Sequence, residues 1–180
     1  AYRETALNRP QNISSSLLCL SRQPDSDSEF VDVNEVAPDA LRVLDGHLRG
    51  SHIQIEKNFQ SPIPAIQGNF AHLGQVAINI IQNACQSMRE QHGSVVLSTR
   101  YQADMNQVVF SCLDSGSGIN PSIQQDIFKP FFTTKPVGQG TGLGLYISHE
   151  IVRKHQGRIV LENPIQGGAL FEVYLPLGES

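Results

Sequence analysis

The sequence has little that would suit a protein stabilised by disulfides or by zinc. Its three cysteines, Cys19, Cys85 and Cys112, are scattered along the chain, and no two of them form a C-x-x-C pair. An odd and unpaired set of this kind indicates neither a disulfide framework nor a zinc site. A reduced, cytoplasmic location fits this cysteine usage best.

Two further absences narrow the class of protein. No apolar run approaches the roughly 20 residues of a membrane-spanning helix, and no charged-then-apolar signal segment opens the chain. The net charge of -4 comes without the clustered Lys and Arg residues that nucleic-acid phosphates require. We therefore expect no direct membrane contact by this chain and no nucleic-acid partner.

The length of 180 residues suits one packed domain with a short appendage. Residues 1–22 have the pattern of a weak helix, and the polar stretch 23–28 is typical of a linker. The chain begins at Ala1 rather than at Met, which suggests a piece of a longer protein, although processing or tag removal would give the same start. The domain is therefore predicted to span residues 29–180.

Hydrophobic periodicity predicts strands and helices in alternation. Strands are expected at 29–33, at 52–59 and in an extended piece ending at Gly68, and a helix at 34–49 carries Pro38 in its first turn. The clearest helix spans 69–91, where apolar residues recur every three or four positions. The remaining elements are expected at 94–101 and 107–113 (a hairpin), 121–127 (a short helix), 128–141 (a loop), 143–155 (a helix), and 158–161 and 169–175 (closing strands).

Asn79 and Asn83 form the first of four residue clusters that could carry chemistry. They are four positions apart on the long helix, so their side chains can point into the same cavity. Amide oxygens are hard ligands suited to magnesium, and amide NH2 groups can donate to phosphate oxygens. Taken alone, the pair would also fit two solvated residues on a helix rim.

The second cluster, Asp114-Ser115-Gly116-Ser117-Gly118-Ile119, follows a predicted strand. A carboxylate at a strand end can accept a hydrogen bond from an exocyclic amine such as that of adenine. The glycines let the backbone pass close to a flat ring. An ordinary Asp-Gly turn would show the same local sequence.

The third cluster is the aromatic-rich loop Phe128-Lys129-Pro130-Phe131-Phe132-Thr133-Thr134-Lys135. Large apolar side chains in a loop indicate that it folds back on the protein, as a lid does, and Lys135 could then reach a phosphate. A small satellite core would explain the three Phe residues equally well.

The fourth cluster, Gly138-Gln139-Gly140-Thr141-Gly142-Leu143-Gly144-Leu145, runs directly into a helix. Backbone N–H groups at a helix start, unobstructed by side chains, suit an anion such as a triphosphate, although a glycine-rich hinge is the alternative. The spacing matches neither the G-x-G-x-x-G dinucleotide motif nor the G-x-x-x-x-G-K-[ST] phosphate loop. Those two nucleotide-binding folds are excluded.

In this order, the four clusters resemble the N box, first glycine box, F box and second glycine box of the histidine kinases, and the resemblance spans about 29–177. It implies an α/β fold, a two-layer α/β sandwich of the Bergerat type. In that fold a mixed sheet of about five strands carries helices on one face, and ATP lies under a lid loop formed here by 128–140. Residues 1–22 resemble the tail of the dimerisation helix that precedes such domains.

The resemblance also implies the chemistry and the partners. ATP and Mg2+ would be the cofactors, and the γ-phosphate would pass to a histidine on a dimerisation domain outside this chain, in a homodimeric parent. A response regulator would be the further partner. The chain itself would supply positioning and charge neutralisation, as phosphoryl transfer generally requires.

Each motif residue takes a role from this resemblance. Asn83 would ligate magnesium, Asn79 and Lys135 would contact the phosphates, and Asp114 would read the adenine amine. The other residues expected to contact the nucleotide are Gln86, Ser87, Gly116, Gly118, Ile119, Phe128, Thr133, Thr134, Gly138, Gly140, Thr141, Gly142, Leu143, Gly144 and Leu145.

Two departures from the family pattern stand out. Many members carry a Lys three residues after the magnesium-binding Asn, whereas this chain has Gln86, so Lys135 or Arg89 would have to supply a phosphate-facing cation. No histidine has the acceptor pattern of a following Glu or Asp and a Pro four residues on. His149-Glu150 comes closest but lacks the Pro. We therefore expect the chain to bind ATP without phosphorylating itself.

Two other functional classes are weighed against the kinase. ATP hydrolases of the same fold place a Glu, which activates water, four residues before the magnesium-binding Asn. Here that position is Asn79, whose amide cannot take a proton, so transfer is favoured over hydrolysis. A nucleotide-independent docking module is disfavoured by the intact Asn83, Asp114 and glycines of both boxes.

Overall fold

The computed structural model of the chain describes residues 28–49, 51–88, 92–136 and 140–178. The predicted tail 1–22 and residues 23–27 of the predicted linker lie outside these residues, as do Arg89 and Gly138. The helices and strands are β1 (Glu29–Val31), α1 (Val33–Leu48), β2 (Ile53–Phe59), β3 (Ile66–Gly68), α2 (Phe70–Ser87), β4 (Gly93–Gln102), β5 (Gln107–Asp114), α3 (Gly144–Lys154), β6 (Arg158–Glu162) and β7 (Leu170–Pro176).

The main sheet has five strands in the order β2-β4-β5-β7-β6. Strand β2 runs parallel to β4, and the other three pairs are antiparallel, so the sheet is mixed. The predicted α/β fold with a mixed sheet of about five strands is confirmed. Strands β1 and β3 form a separate two-stranded antiparallel sheet, which the periodicity could not reveal.

The hydrophobic core lies between one face of the main sheet and the helices. Side chains alternate between faces along a strand, so every second residue of the central strands contributes to this core. On α2 the core residues recur with helical spacing: Leu73, Val76, Ala77, Ile80, Ile81 and Ala84. The opposite face of the sheet carries polar pairs, including Ser98 with Ser111 at 2.6 Å and Arg100 with Glu172 at 2.7 Å.

Both long helices begin at side-chain caps. The Asp32 carboxylate accepts from the Asn34 N–H, so α1 begins at Val33, and the Asn69 side chain accepts from the His72 N–H at the start of α2. Pro38 is the sixth residue of α1 and lies in the second turn, so its predicted place in the first turn was wrong. Val33 is buried, and this burial favours including it in the helix.

The predicted short helix at 121–127 was too long. Only Pro121–Ile123 form a 3-10 turn, whose start is capped by the Asn120 side chain accepting from the Ser122 N–H at 3.0 Å. So few residues gain too few hydrogen bonds to offset helix nucleation. The predicted hairpin is confirmed, with Gln102 opposite Gln107 and Asn106 in the left-handed region at φ 48°.

The third helix matches its prediction within one residue at each end, Leu143 and His155 being the flanking positions. Helix α2 ends at Ser87 and is followed by Met88, and residues 89–91 of its predicted extent lie outside the described part of the chain. None of the helices in the described ranges is long and apolar enough to cross a membrane.

Candidate functional site

Asn79 joins α2 to the start of α3. Its amide nitrogen donates to the Gly144 carbonyl at 2.9 Å and to the Ser148 hydroxyl at 3.1 Å, and its oxygen accepts from the Gln75 amide at 2.9 Å. These bonds fix the side chain beside the first turn of α3, where the fourth cluster ends. The predicted contact between Asn79 and a phosphate stays a prediction.

Helix α3 begins without a cap bond from the side chain of the residue before it. No side chain forms a cap bond at Leu143, and the Thr141 hydroxyl accepts from the Leu143 N–H at 3.3 Å. The side chain of Leu143 is buried in the core, and Leu145 packs against it. Any contact of Leu143 with a nucleotide would therefore involve its backbone.

Gly142 allows the lid loop to pass directly against this helix start. Its φ is +65°, and a Cβ there would lie 2.4 Å from the Phe131 carbonyl carbon. Since backbone atoms cannot yield that much space, only glycine fits at this position.

Asn83 faces the lid loop. The Lys135 ammonium donates to the Asn83 amide oxygen at 3.2 Å and also to the Gln86 amide oxygen. Residues three apart on a helix lie on the same side, so α2 brings these two oxygens together. The structure thus unites three predicted site residues, Asn83, Gln86 and Lys135, around a single positive charge.

Asp114 ends β5 on the helix side of the sheet and is 4% exposed. One carboxylate oxygen accepts from the Gly116 N–H at 2.8 Å and from the Ala169 N–H at 3.2 Å. These two bonds hold the carboxylate in one orientation at the strand end. A fixed, buried acceptor of this kind can recognise an amine of a flat ligand with directional precision.

Burial raises the pKa of Asp114 above its ordinary value, because the charged form loses hydration. The N–H groups of Gly116 and Ala169 oppose this rise by donating to the carboxylate, and the adjacent Ser87 hydroxyl also lowers the pKa. Ser87, from α2, therefore lies beside Asp114, as its predicted place in the site requires. Its own hydroxyl also donates to the Ala84 carbonyl at 2.8 Å.

The turn after Asp114 is supported by residues from beyond β6. Gly118 has φ +74°, and a Cβ there would lie 2.8 Å from the Gly168 carbonyl oxygen. The Ile119 N–H donates to the Asn163 side chain at 3.0 Å, and the Asn163 amide donates back to the Ile119 carbonyl at 2.6 Å. The loop before β7 thus holds the first glycine cluster in place.

Two of the three lid phenylalanines pack against the protein. Phe128 and Phe132 contact the core, and the Phe128 ring lies 5.6 Å from the His149 ring. Phe131 is 72% exposed and has φ 65°, unusual for a residue with a side chain. Thr133 and Thr134 are exposed, and the Thr133 hydroxyl accepts from the Lys135 N–H at 3.1 Å.

Comparison with known proteins places these four clusters in one family. Residues 68–179 match the model of the histidine kinase-, DNA gyrase B- and HSP90-like ATPase family. The chain belongs to this family. The match begins just before α2 and ends after β7, so it includes every cluster described above.

The relatives of this ATPase-family chain are sensor kinases. Sensor kinase CckA of Brucella abortus (strain 2308) is 32% identical over 182 residues, covering 94% of this chain and 19% of its own length. Sporulation kinase C of Bacillus subtilis (strain 168) is 35% identical over 172 residues, covering 95% of this chain and 39% of its own length. The chain thus spans well under half of the length of either curated relative.

The fold is that of histidine kinase catalytic domains. The nucleotide-free catalytic domain of histidine kinase ThkA superposes with a TM-score of 0.75 at 28% identity, covering 84% of this chain and 96% of that chain. The family, the relatives and the fold confirm the predicted kinase-type ATP-binding domain. The role of each individual site residue stays a prediction.

Four residues that support the candidate site through contacts with its members were not identified from the sequence: Gln75, Ser148, Asn163 and Gly168. The Asn163-Pro164 step and the Gly167-Gly168 pair are turn signals that were visible in the sequence. Gln75 precedes Asn79 by four residues on α2, a spacing that allows the hydrogen bond observed between them.

The Asn83 and Gln86 side chains offer neutral amide oxygens to a cation. Among residues 28–49, 51–88, 92–136 and 140–178, no group of three or more His, Cys, Asp or Glu side chains could hold a metal ion. Cys85 and Cys112 are free thiols. The amide oxygens of Asn83 and Gln86 already surround an ammonium, so this part of α2 is fitted to a cation.

Proposed function

We propose that this chain binds ATP with Mg2+ and delivers the γ-phosphate to a histidine on a dimerisation domain of its own parent protein. The observation that carries the proposal is the arrangement around α2. A buried carboxylate, Asp114, lies beyond one end of this helix, and a cation held by two amide oxygens lies over Asn83 and Gln86. The carboxylate suits the amine of a purine, and the cation suits the negatively charged phosphates attached to it.

In this proposal Asp114 recognises the adenine amine. Its orientation is set by the Gly116 and Ala169 N–H groups, and Gly116 leaves room beside it, since a Cβ there would approach the Ser87 hydroxyl to 2.7 Å. Gly118 and Ile119, held by Asn163, would border the base.

Asn83 would contribute an oxygen to the magnesium coordination shell, and the backbone N–H groups at the start of α3 would face the phosphates. Magnesium, when bound, neutralises charge on phosphate oxygens and so favours transfer. Lys135 would add a second positive charge from the lid. Positioning of the γ-phosphate by these groups is the contribution of this chain to the reaction.

Transfer is favoured over hydrolysis by the environment of Asn79. Its amide nitrogen donates to Gly144 and Ser148, and its oxygen accepts from Gln75. An amide held in this way cannot take a proton from water, so it does not act as a general base.

The partners proposed for the chain are its dimerisation domain, in a homodimer, and a response regulator. The related ThkA has been solved with the response regulator protein TrrA.

Calorimetric titration with a non-hydrolysable ATP analogue tests the proposal. We expect the wild-type chain to bind the analogue and to bind it more tightly when Mg2+ is added. Asn83→Ala should lose most of the magnesium-dependent gain, because a metal ligand is removed. Asn58→Ala, which removes an exposed Asn of β2, is the matched control and should behave as wild type.

Two results would contradict the proposal. Absence of nucleotide binding by the wild-type chain would favour the docking module. An Asn83→Ala variant that keeps the full magnesium gain would show that the metal lies elsewhere.

A further inference from the structure

The lid loop and α2 are joined by a lysine placed where a cation is expected. The Lys135 ammonium donates to the Asn83 oxygen at 3.2 Å and to the Gln86 oxygen. We call this pair of amide oxygens, Asn83 Oδ1 and Gln86 Oε1, the α2 cradle. Both residues are partly buried, so the contact is not a loose surface encounter.

The chemistry of the α2 cradle allows one cation at a time. Amide oxygens carry lone pairs but no net charge, and both an ammonium and a divalent metal bind such oxygens. Two cations a few ångströms apart repel each other strongly unless anions lie between them. Before a nucleotide supplies phosphate oxygens, Lys135 and a metal therefore compete for the same position.

Thr133 and Gly140, two described residues of the lid loop, lie beside this lysine. The Lys135 N–H donates to the Thr133 hydroxyl at 3.1 Å, and Gly140 lies against the same pair, since a Cβ on Gly140 would approach the Thr133 hydroxyl to 2.8 Å and the Lys135 Cδ to 3.1 Å. The contact of Lys135 with the α2 cradle therefore ties both sides of the lid to α2.

We propose that Lys135 holds the α2 cradle in the nucleotide-free chain and leaves it for the phosphates when magnesium-bound nucleotide enters. Gln86 is then a further cation-binding residue beside Asn83. The inference rests on the proposed function and describes how the same site is regulated. It predicts that removing the Lys135 charge strengthens binding of the metal and weakens binding of the phosphates.

The gain in affinity for an ATP analogue on adding saturating Mg2+ measures this competition. We expect a gain in Lys135→Gln roughly tenfold larger than in the wild type, about the worth of one charge-assisted hydrogen bond. The larger gain comes from the α2 cradle, where the metal no longer has to displace an ammonium. The lost contact between Lys135 and the phosphates weakens binding both with and without Mg2+ and so does not enlarge the gain. Lys57→Gln, which removes the charge of an exposed lysine on β2, is the matched control and should show the wild-type gain.

Gln86→Leu tests the oxygen that Gln86 contributes to the α2 cradle independently of Lys135. It removes one cradle oxygen while keeping similar bulk, so we expect a smaller gain from Mg2+ than in the wild type, opposite to Lys135→Gln. Without nucleotide, both variants should be cut faster by chymotrypsin at Phe131 and Phe132, because the tie between lid and α2 is weakened. Lys57→Gln should be cut at the wild-type rate.

The two proposals fail in different ways. If the wild-type chain binds the analogue but Lys135→Gln shows an unchanged magnesium gain and unchanged lid cleavage, the cradle inference is overturned and the proposed function stands. If the wild-type chain binds no nucleotide, both are overturned.

Discussion

At the scale of single residues, Asp114 combines a cost in folding stability with a proposed role in binding the base. Burial raises the pKa of its carboxyl, so the charged form is less favourable in the folded chain than in the unfolded one. Its contribution to the free energy of unfolding is therefore largest below the unfolded pKa. That contribution is lost as the pH rises through the higher folded pKa.

Asp114→Asn should separate the two effects. Asn keeps an oxygen for the Gly116 and Ala169 N–H groups and carries no charge, so we expect the variant to gain stability relative to wild type as the pH rises from about 4 to about 7. Its affinity for an ATP analogue should fall by about 10- to 100-fold, the loss of a hydrogen bond to a charged group. Urea unfolding at the two pH values and calorimetry check these expectations.

Asp104→Asn, in the exposed turn between β4 and β5, is the control for Asp114→Asn and should change neither quantity. An Asp114→Asn variant with wild-type affinity would show that this carboxylate does not read the base.

At the scale of elements, α2 and α3 are joined by the hydrogen bonds of His155 as well as those of Asn79. The His155 Nε2 accepts from the Asn69 N–H at 3.0 Å, and its Nδ1 lies 2.8 Å from the Ile151 carbonyl oxygen. Since Nε2 is the acceptor, the proton of the neutral ring is on Nδ1 and is donated to Ile151. The ring thus ties the end of α3 to the start of α2.

His155→Phe should remove the hydrogen bonds of the His155 ring without leaving a cavity between α2 and α3. The aromatic ring is kept but the partly buried Asn69 N–H loses its acceptor, so we expect a loss of about 1 kcal/mol in the free energy of unfolding. His47→Phe, at an exposed position near the end of α1, is the control and should cost little. Chemical denaturation measures both, and equal stabilities for the two variants would contradict the role given to His155.

The elements themselves were largely predictable from the sequence because their causes are local. The three-to-four-residue period of α2 and the polar turn around Asn106 give nearly the observed bounds. The pairing of β1 with β3, and the support of the first glycine turn by Asn163, join residues far apart in the chain. Periodicity carries no information on such pairs, so they required the structure.

The candidate site was predictable in its residue types but not in its internal contacts. The four clusters are visible as motifs, yet nothing in the sequence indicated that Asn79 bonds to Gly144 or that Lys135 bonds to Gln86. Gln86 stands where many family members carry a lysine, and Lys135 or Arg89 is expected to supply the missing positive charge. The structure favours Lys135, because its ammonium contacts Gln86. Arg89, the other candidate, lies outside the described residues.

At the scale of the whole molecule, α2 organises the domain. One side of it packs on the sheet, and the other carries Asn79 toward α3 and Asn83 toward the lid. Asp114, the carboxylate proposed to recognise the base, lies at the end of β5, the central strand of the sheet. The sheet and α2 thus hold the proposed adenine and metal positions, while the lid supplies the lysine that is proposed to move.

The fate of the γ-phosphate tests the central claim most directly. The chain is mixed with labelled ATP, Mg2+ and a separately supplied dimerisation domain of its parent protein, and phosphohistidine and inorganic phosphate are measured together. We predict label on the dimerisation domain, slow release of inorganic phosphate, and no labelling when the chain carries Asn83→Ala. Rapid release of inorganic phosphate with no labelled histidine would contradict the account.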